Sequence, residues 1–396
     1  MASLLITLST LSRSNPTQVE ALMQLYHLTG GASWRFNHNW RADGDPCAFD
    51  LRWAGVGCTD PCKWHDGPTC AYGMVTSLNL DYNGLSGNLT NWTAIGDLTN
   101  LTVLDLTGNS LGGELPTEIG RVDTLRQLHL FHNQLVGHLP TELGTINSRA
   151  GHVHGHLEEL NFRGNSISGY LPSELGLHSM LQALDVRENL LSGTLPWQMA
   201  ANLAELRTLH AHDNHGLSGT LPTEMGGLSR LRYLDLSRGR LSGTVPPSIG
   251  SIAEMSALHI ESNRLEGGLP ESLSNLDLLR TLRLANNNIT GNLPSGIGKL
   301  RSLEVLDVYN NSMDGDVPEG IRELGELREL YLANEHLLPL RKKFCGQRLP
   351  DVGKYSWRVI REEYDQMMAS YCPPHELLST EQTFQRLQDS LSHDEL

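Results

Sequence analysis

Apolar residues along the middle of this chain come in pairs with one residue between them: Leu78/Leu80, Leu104/Leu106, Leu128/Leu130, Leu160/Phe162, Leu184/Val186, Leu209/Ala211, Leu234/Leu236, Leu258/Ile260, Leu282/Leu284, Leu306/Val308 and Leu330/Leu332. Alternation of this kind predicts a short strand at each pair, buried on one face. The step is mostly 24 residues, as 282 - 258 and 306 - 282 show. Five positions after the first member stands an asparagine, at Asn83, Asn109, Asn133, Asn165, Asn189, Asn214, Asn263, Asn287 and Asn311, and only Gly239 and Glu335 break that column. A Gly-x-Leu/Val-Pro element follows, as in "GHLP", "GTLP" and "GTVP". A single repeat cannot bury its own leucines, but stacked repeats close a continuous apolar interior. In the turn after each strand, an asparagine amide bonds backbone groups that irregular chain would leave unpaired. The pattern therefore predicts one repeat solenoid and not a string of separate domains.

The consensus "LxxLxxLxLxxNxLxGxLP" covers roughly residues 17 to 345 and resembles the plant-type leucine-rich repeat family, known from receptor-kinase ectodomains and secreted polygalacturonase-inhibiting proteins. The segment "NWRADGDPCAFDLRWAGVGC" is similar to that family's N-terminal cap, with Trp40, Asp45, Pro46, Cys47, Trp53, Gly55, Val56 and Cys58 at the motif positions. The resemblance implies an α/β repeat: a curved right-handed leucine-rich-repeat solenoid with about eleven strands on its concave face and helical caps at both ends. It also implies a Cys47 to Cys58 bridge and a concave face that binds protein or peptide partners. The domain plan that follows is a weak signal segment at 1–14, an N-terminal cap at 15–74, the solenoid at 75–340, a C-terminal cap at 341–374 and a tail at 375–396.

Both ends need covers with one polar face. "SNPTQVEALMQLYHLTGG" reads as a helix, with Asn15 as cap, Pro16 in the first turn, Gln18 at the capping-box position and Gly30 and Gly31 as the stop. Val19, Leu22, Met23 and Tyr26 would share its buried face. At the back, Trp357, Ile360, Tyr364 and Tyr371 follow helical spacing and predict a covering helix. Two insertions interrupt the scheme. "TDPCKWHDGPTC" carries Cys62 and Cys70, and a lengthened repeat contains His152, His154 and His156, read as a solvated Gly-rich loop before a metal site.

Charge and cysteine usage narrow the function. Asp plus Glu outnumber Lys plus Arg by 45 to 30, a formal net charge of -15, which disfavours nucleic acid or an anionic membrane as partner. No apolar run of eighteen residues occurs, so no membrane span is expected. Six cysteines lie in two terminal clusters, Cys47, Cys58, Cys62 and Cys70, then Cys345 and Cys372. That usage suits disulfides in an oxidising compartment; the front four alone allow three pairings, or Cys58, Cys62 and Cys70 a zinc site with His65, and short separations favour Cys62 to Cys70 and Cys345 to Cys372. Sequons at Asn88, Asn91, Asn100, Asn288 and Asn310 agree with lumenal exposure and glycosylation. The last four residues, His393, Asp394, Glu395 and Leu396, spell an endoplasmic reticulum retrieval signal read by a receptor. The apolar start at Leu4 to Leu11 lacks a positive flank and is a poor signal peptide.

Residues between the paired leucines should face outward, on the concave side. That column reads Asn79, Asp105, His129, Asn161, Asp185, His210, Asp235, His259, Arg283, Asp307 and Tyr331; beside it lie Phe131, Arg163, Arg187, His212, Ser237 and Glu261. Asp185, His210, Asp235 and His259 form a row of alternating acid and imidazole. The sequence offers three uses for them: solvated positions on a strand face, a partner patch whose imidazoles gain charge as pH falls, and a divalent metal or hydrolytic chemistry. The partner patch is placed on His129, Phe131, Asp185, His210, His212, Asp235, His259 and Glu261, with no cofactor, no metal and no catalytic residue assigned. An open strand face is a poor place for catalysis, and no phosphate loop, nucleophile elbow or HExxH sequence is present. The expectation is a non-enzymatic binding module retained in the endoplasmic reticulum lumen, holding a protein client. The rivals are a secreted recognition or inhibitor protein and, last, a metal-dependent lumenal hydrolase.

Overall fold

A computed structural model describes residues 16–47, 52–59, 73–146, 157–314 and 317–332. The chain divides into two compact units, Met1–Ser242 and Gly243–Leu396. In the first, each Leu-x-Leu pair heads a short strand, from Val75–Asn79 through Val103–Asp105, Gln127–His129, Glu159–Asn161, Ala183–Asp185 and Thr208–His210 to Tyr233–Asp235. These strands pair in parallel with the leucines in register, so that Leu104 faces Leu128, Leu184 faces Leu209 and Leu209 faces Leu234. The second unit repeats the arrangement with Ala257–His259, Thr281–Arg283, Val305–Asp307 and Glu329–Tyr331. Leu104, Leu128, Leu184, Leu234, Leu258, Leu282 and Leu306 are at most 1% exposed. Each such side chain contributes roughly 1.5–3 kcal/mol by leaving water. Both units are stretches of the expected leucine-rich-repeat solenoid.

The asparagine column does what its position suggests. Asn133 donates from Nδ2 to the carbonyls of Leu106 and Leu130 at 2.9 and 3.1 Å, while its Oδ1 accepts from the Leu111 amide at 3.1 Å. Asn214 repeats the set on Val186 O, Ala211 O and the Leu191 amide. One side chain thus ties its own turn to the previous repeat. The residue before it is left-handed in repeat after repeat, at Tyr82, His132, Glu188, Asp213, Ser262, Asn286 and Asn310 with φ between 47° and 57°, and at Gly108 and Gly164. Non-glycine residues pay strain there, which the amide bonds offset. Where Gly239 interrupts the column, the Leu217 amide bonds Asn214 O within its own repeat instead.

After each turn the chain makes a second short strand, such as Leu190–Gly193 beside Gly216–Thr220, which the sequence pattern alone did not call for. Beyond the Leu-Pro element it forms 3-10 turns, as at Thr117–Arg121 and Ser173–Leu177. Pro fixes the residue before each turn, and the glycine inside it, Gly120 or Gly176, lets the next turn approach where a Cβ would clash.

The front cap is a helix over Pro16–Leu28, but its buried stripe is rotated from the expected one. Gln18, Ala21, Leu22, Met23 and Leu25 are buried, whereas Val19 and Tyr26 are half-buried. Gln18 is not a capping side chain: its Oε1 accepts the Val75 amide at 2.9 Å and joins the helix to the first repeat strand. Tyr26 packs on Trp34 and Trp40, and Trp40 on Trp53. Cys47 and Cys58 are disulfide-bonded with Cα atoms 5.7 Å apart. The strand Val56–Cys58 pairs antiparallel with Val75–Asn79, adding a cap strand ahead of the repeats. Cys62, Cys70, Cys345, Cys372, the histidine loop at 152–156, the C-terminal helix and the tail ending in His393–Leu396 lie outside the described residues.

Candidate functional site

The outward face of the first unit's sheet carries three columns, not two. Leu160 points inward, so Glu159 and Asn161 both point out, and Arg163 follows. The column of Glu159, Thr208 and Tyr233 was missing from the two-column reading, although the same alternation predicts it. It supplies decisive contacts.

The acids of the middle column have a local task. Asp105, Asp185 and Asp235 each accept, through Oδ1, the backbone amide two residues on, at 3.0, 3.2 and 3.1 Å. Asn161 does the same for Arg163, and Asp307 for Tyr309 in the second unit. These short side chains close the strand end in an Asx-type turn, which explains why Asp and Asn recur there. Asp185 and Asp235 are 8% and 7% exposed, so they are not the solvated positions that strand alternation suggests. Asp185 also pairs with Arg187 at 3.2 Å; burial still pushes its carboxyl above the ordinary range, against Arg187. Arg163 pairs with Glu188 at 2.9 Å.

Where a repeat has histidine in that column, the ring finds its own partners. His129 Nδ1 lies 3.8 Å from Asp105, and Nε2 is hydrogen-bonded to Glu159 at 3.1 Å. Asp105 raises His129 above its ordinary value of 6.5, against the burial that opposes it, and Glu159 adds to the rise. Burial pushes Asp105 up, but its bonds with His129 and Thr107 outweigh that and hold it below its ordinary 3.8. Phe131, beside this cluster, is half-buried and meets His132 edge-on at 5.4 Å.

The second cluster departs from the expected row. His210 is in register with Asp185 on one side and Asp235 on the other. Yet the contact to Asp235 is made by His212, from Nδ1 at 3.1 Å, while His210 lies against Tyr233 with ring centroids 4.6 Å apart. Residues two apart on a strand share a face, so His212 reaches Asp235 diagonally. Its Nε2 is 3.9 Å from Asp213. The Asp235 bond raises His212 against the burial that opposes it. In the second unit, His259 Nε2 is bonded to Thr281 Oγ1 at 2.8 Å and Glu261 is half-buried. The expected patch is therefore built of engaged side chains.

One histidine escaped notice. His178 occupies a column that reads Leu98, Val122, Ile146, Leu203 and Leu228 in other repeats, and is fully buried. Its Nε2 bonds Leu143 O at 2.7 Å, and burial lowers its basicity, so it is a neutral core residue. Aligning that column would have found it.

Comparison with known proteins agrees with this architecture. Leucine-rich-repeat family models match residues 277–337 and residues 100–122, 124–146, 156–177 and 230–252. This is a leucine-rich-repeat protein that resembles plant receptor-kinase ectodomains. An inactive leucine-rich repeat receptor-like serine/threonine-protein kinase of Arabidopsis thaliana is 41% identical over 66 residues, 17% of this chain and 10% of that protein. The Arabidopsis receptor kinase HAESA, solved with the peptide hormone IDA and the co-receptor SERK1, is similar with a TM-score of 0.59 and 27% identity, covering 80% of this chain and 54% of that one. The ectodomain of the Arabidopsis thaliana receptor kinase GASSHO1/SCHENGEN3, solved with CASPARIAN STRIP INTEGRITY FACTOR 2, gives 0.57 and 28%, over 81% and 44%. The chain thus spans about half the length of these solved receptors and a tenth of the curated relative. Among the described residues no helix is long and apolar enough to cross a membrane.

Proposed function

We propose that the protein is a non-enzymatic binding module that holds an extended peptide or a protein segment along its outward strand face. The observation that carries this reading is the alignment of charged, imidazole and aromatic side chains from successive repeats, His129, Phe131, Asp185, His210, His212 and Asp235, on one face of the first unit. His259 and Glu261 supply the same chemistry on the second. An exposed sheet face with half-buried side chains loses little ordering entropy when a partner lands on it. The similarity to ectodomains solved with peptide hormones supports a peptide-sized ligand.

Two settings follow for such a module. Retention in the endoplasmic reticulum lumen rests on His393, Asp394, Glu395 and Leu396, with a retrieval receptor as second partner. A secreted or receptor-like role rests on the ectodomain resemblance. The Cys47–Cys58 bridge suits both, as do glycans on the exposed Asn88, Asn91, Asn288 and Asn310 and the half-buried Asn100. A secreted reporter carrying the tail, with and without its last four residues, separates them: intracellular hold-up only with the tail supports retention, and equal secretion supports the alternative.

Binding is tested with a partner captured from lumenal extract or culture medium. Affinity is then measured for the wild type and for Phe131→Ala and His210→Gln/His259→Gln. Loss on the order of tenfold or more supports the face; unchanged affinity in all variants moves the site elsewhere.

A further inference from the structure

We propose that His210, His212 and Asp235 form a binding site for a borderline divalent cation of the zinc type. Their ligand atoms all lie within 4.8 Å of one another, and among the described residues no other group of three His, Cys, Asp or Glu side chains converges in this way. His212 Nδ1 and Asp235 Oδ2 are already 3.1 Å apart. Two ligands on one tetrahedral zinc, each about 2.0–2.1 Å from the metal, stand roughly 3.3 Å apart, so this edge needs almost no adjustment. His210 completes the set with a ring nitrogen that lies within 4.8 Å of both other ligand atoms.

The strand makes the chelate. His210 and His212 are two apart, so both rings leave the same face, with centroids 6.5 Å apart and planes at 73°. Asp235 comes from the neighbouring strand with its other oxygen already fixed: Oδ1 accepts from the Ser237 amide at 3.1 Å and its hydroxyl at 2.8 Å. A carboxylate held this way by outer hydrogen bonds keeps its Oδ2 aimed at the imidazoles. Two imidazoles and one carboxylate select zinc or copper over magnesium or calcium, which want oxygen ligands. Three protein ligands leave a position for water or a group brought by a ligand on the face. Asp213 lies 3.9 Å from His212 Nε2 and is paired to Arg238, and Arg187, paired to Asp185, opposes positive charge on His212. The site stands whether or not a peptide partner exists.

The cluster around His129 is the internal control. There the imidazole sits between its two carboxylates, one at each nitrogen, so the ring keeps Asp105 and Glu159 from a common point.

The test uses the full chain, stripped with chelator, and Zn2+ titrated by calorimetry at about pH 8, above the ordinary imidazole value of about 6.5. One Zn2+ per chain is expected at this site. His212→Ala and Asp235→Asn should weaken it on the order of 10–100-fold, with the circular dichroism spectrum retained; the asparagine preserves the Ser237 bonds. His129→Ala, and the triple variant of His152, His154 and His156 to Ala, should leave it unchanged. Copper(II) resonance spectra should show two nitrogen ligands, falling to one in His210→Gln. An absence of Zn2+ binding, unchanged affinity in the His212 and Asp235 variants, loss in the loop variant, or an unchanged nitrogen count in His210→Gln overturns the assignment.

Discussion

His129 and His212 sit on the same sheet face of the first unit, each with two carboxylates in reach, and the arrangement of those carboxylates separates them. At His129 the acids come from both neighbouring strands, Asp105 before and Glu159 after, and occupy opposite ring nitrogens. At His212 the main acid is the buried Asp235, and a second imidazole two residues earlier leans towards the same space. Identical chemistry thus yields an ion-paired bridge between strands in one place and a convergent chelate in the other. The determinant is the residue two past the middle column: Phe131 in the first case, a second histidine in the second.

The largest effects lie beneath the clusters, in the asparagines that anchor each strand's turn. Asn214, behind the His210–His212 strand, is fully buried, whereas Asn133, behind His129, is 8% exposed. Asn214 holds the Leu191 amide and the carbonyls of Val186 and Ala211, and Asn133 holds the Leu111 amide and the carbonyls of Leu106 and Leu130, three short bonds in each case at about 1 kcal/mol apiece. Asn214→Ala should therefore cost about 3 kcal/mol and Asn133→Ala somewhat less. Denaturant midpoints check this. A loss under 0.5 kcal/mol at either position would mean that water replaces the amide and the ladder is not what holds the turn.

That ladder was legible without coordinates because its signal is periodic: a leucine or asparagine at a fixed step has one structural use. The clusters were legible only in part. Column counting found His129, His210, His212 and Asp235, but not that Asp235 meets His212 diagonally, because a diagonal contact depends on rotamers and not on register. Glu159 was missed by stopping at two outward columns. Gln18 read as a capping residue because local pattern cannot see Val75, 57 positions away. The recurring aspartates looked like a functional row, while their first use is to close the strand ends.

The acids come next. Asp235→Ala removes two bonds from Ser237 and the ion-pair contact with His212 at a site 7% exposed, and should cost about 2 kcal/mol. Asp105→Ala acts at a half-buried position and should cost about 1 kcal/mol. If the two cost the same, burial is not what distinguishes the clusters.

A smaller effect appears in the pH dependence. His129 is raised above 6.5, so its pairing stabilises the fold fully below that value and is lost as pH rises through the higher folded-state value. Asp105 is lowered below 3.8, so its share is present above that value and is lost as pH falls through the lower folded-state value. The pair therefore contributes most between 3.8 and 6.5. The stability gap between wild type and His129→Gln should be widest near pH 6 and narrow towards pH 9, by at most about 1 kcal/mol. A gap that widens with pH would show that His129 acts as a neutral ring.

The smallest effect decides which acid governs His129. Glu159 is the nearer, at 3.1 Å against 3.8 Å, but its side chain is 42% exposed and that of Asp105 only 26%. Water screens the exposed carboxylate, and Asp105 is held in place by the Thr107 amide while Glu159 has a long flexible stem. Burial and fixation should therefore outweigh contact distance. Glu159→Gln is expected to lower the His129 titration midpoint, followed by imidazole NMR, by less than Asp105→Asn does, and to cost under about 0.5 kcal/mol of stability. A larger drop from the glutamine variant would reverse that order and place the stronger partner on the later strand.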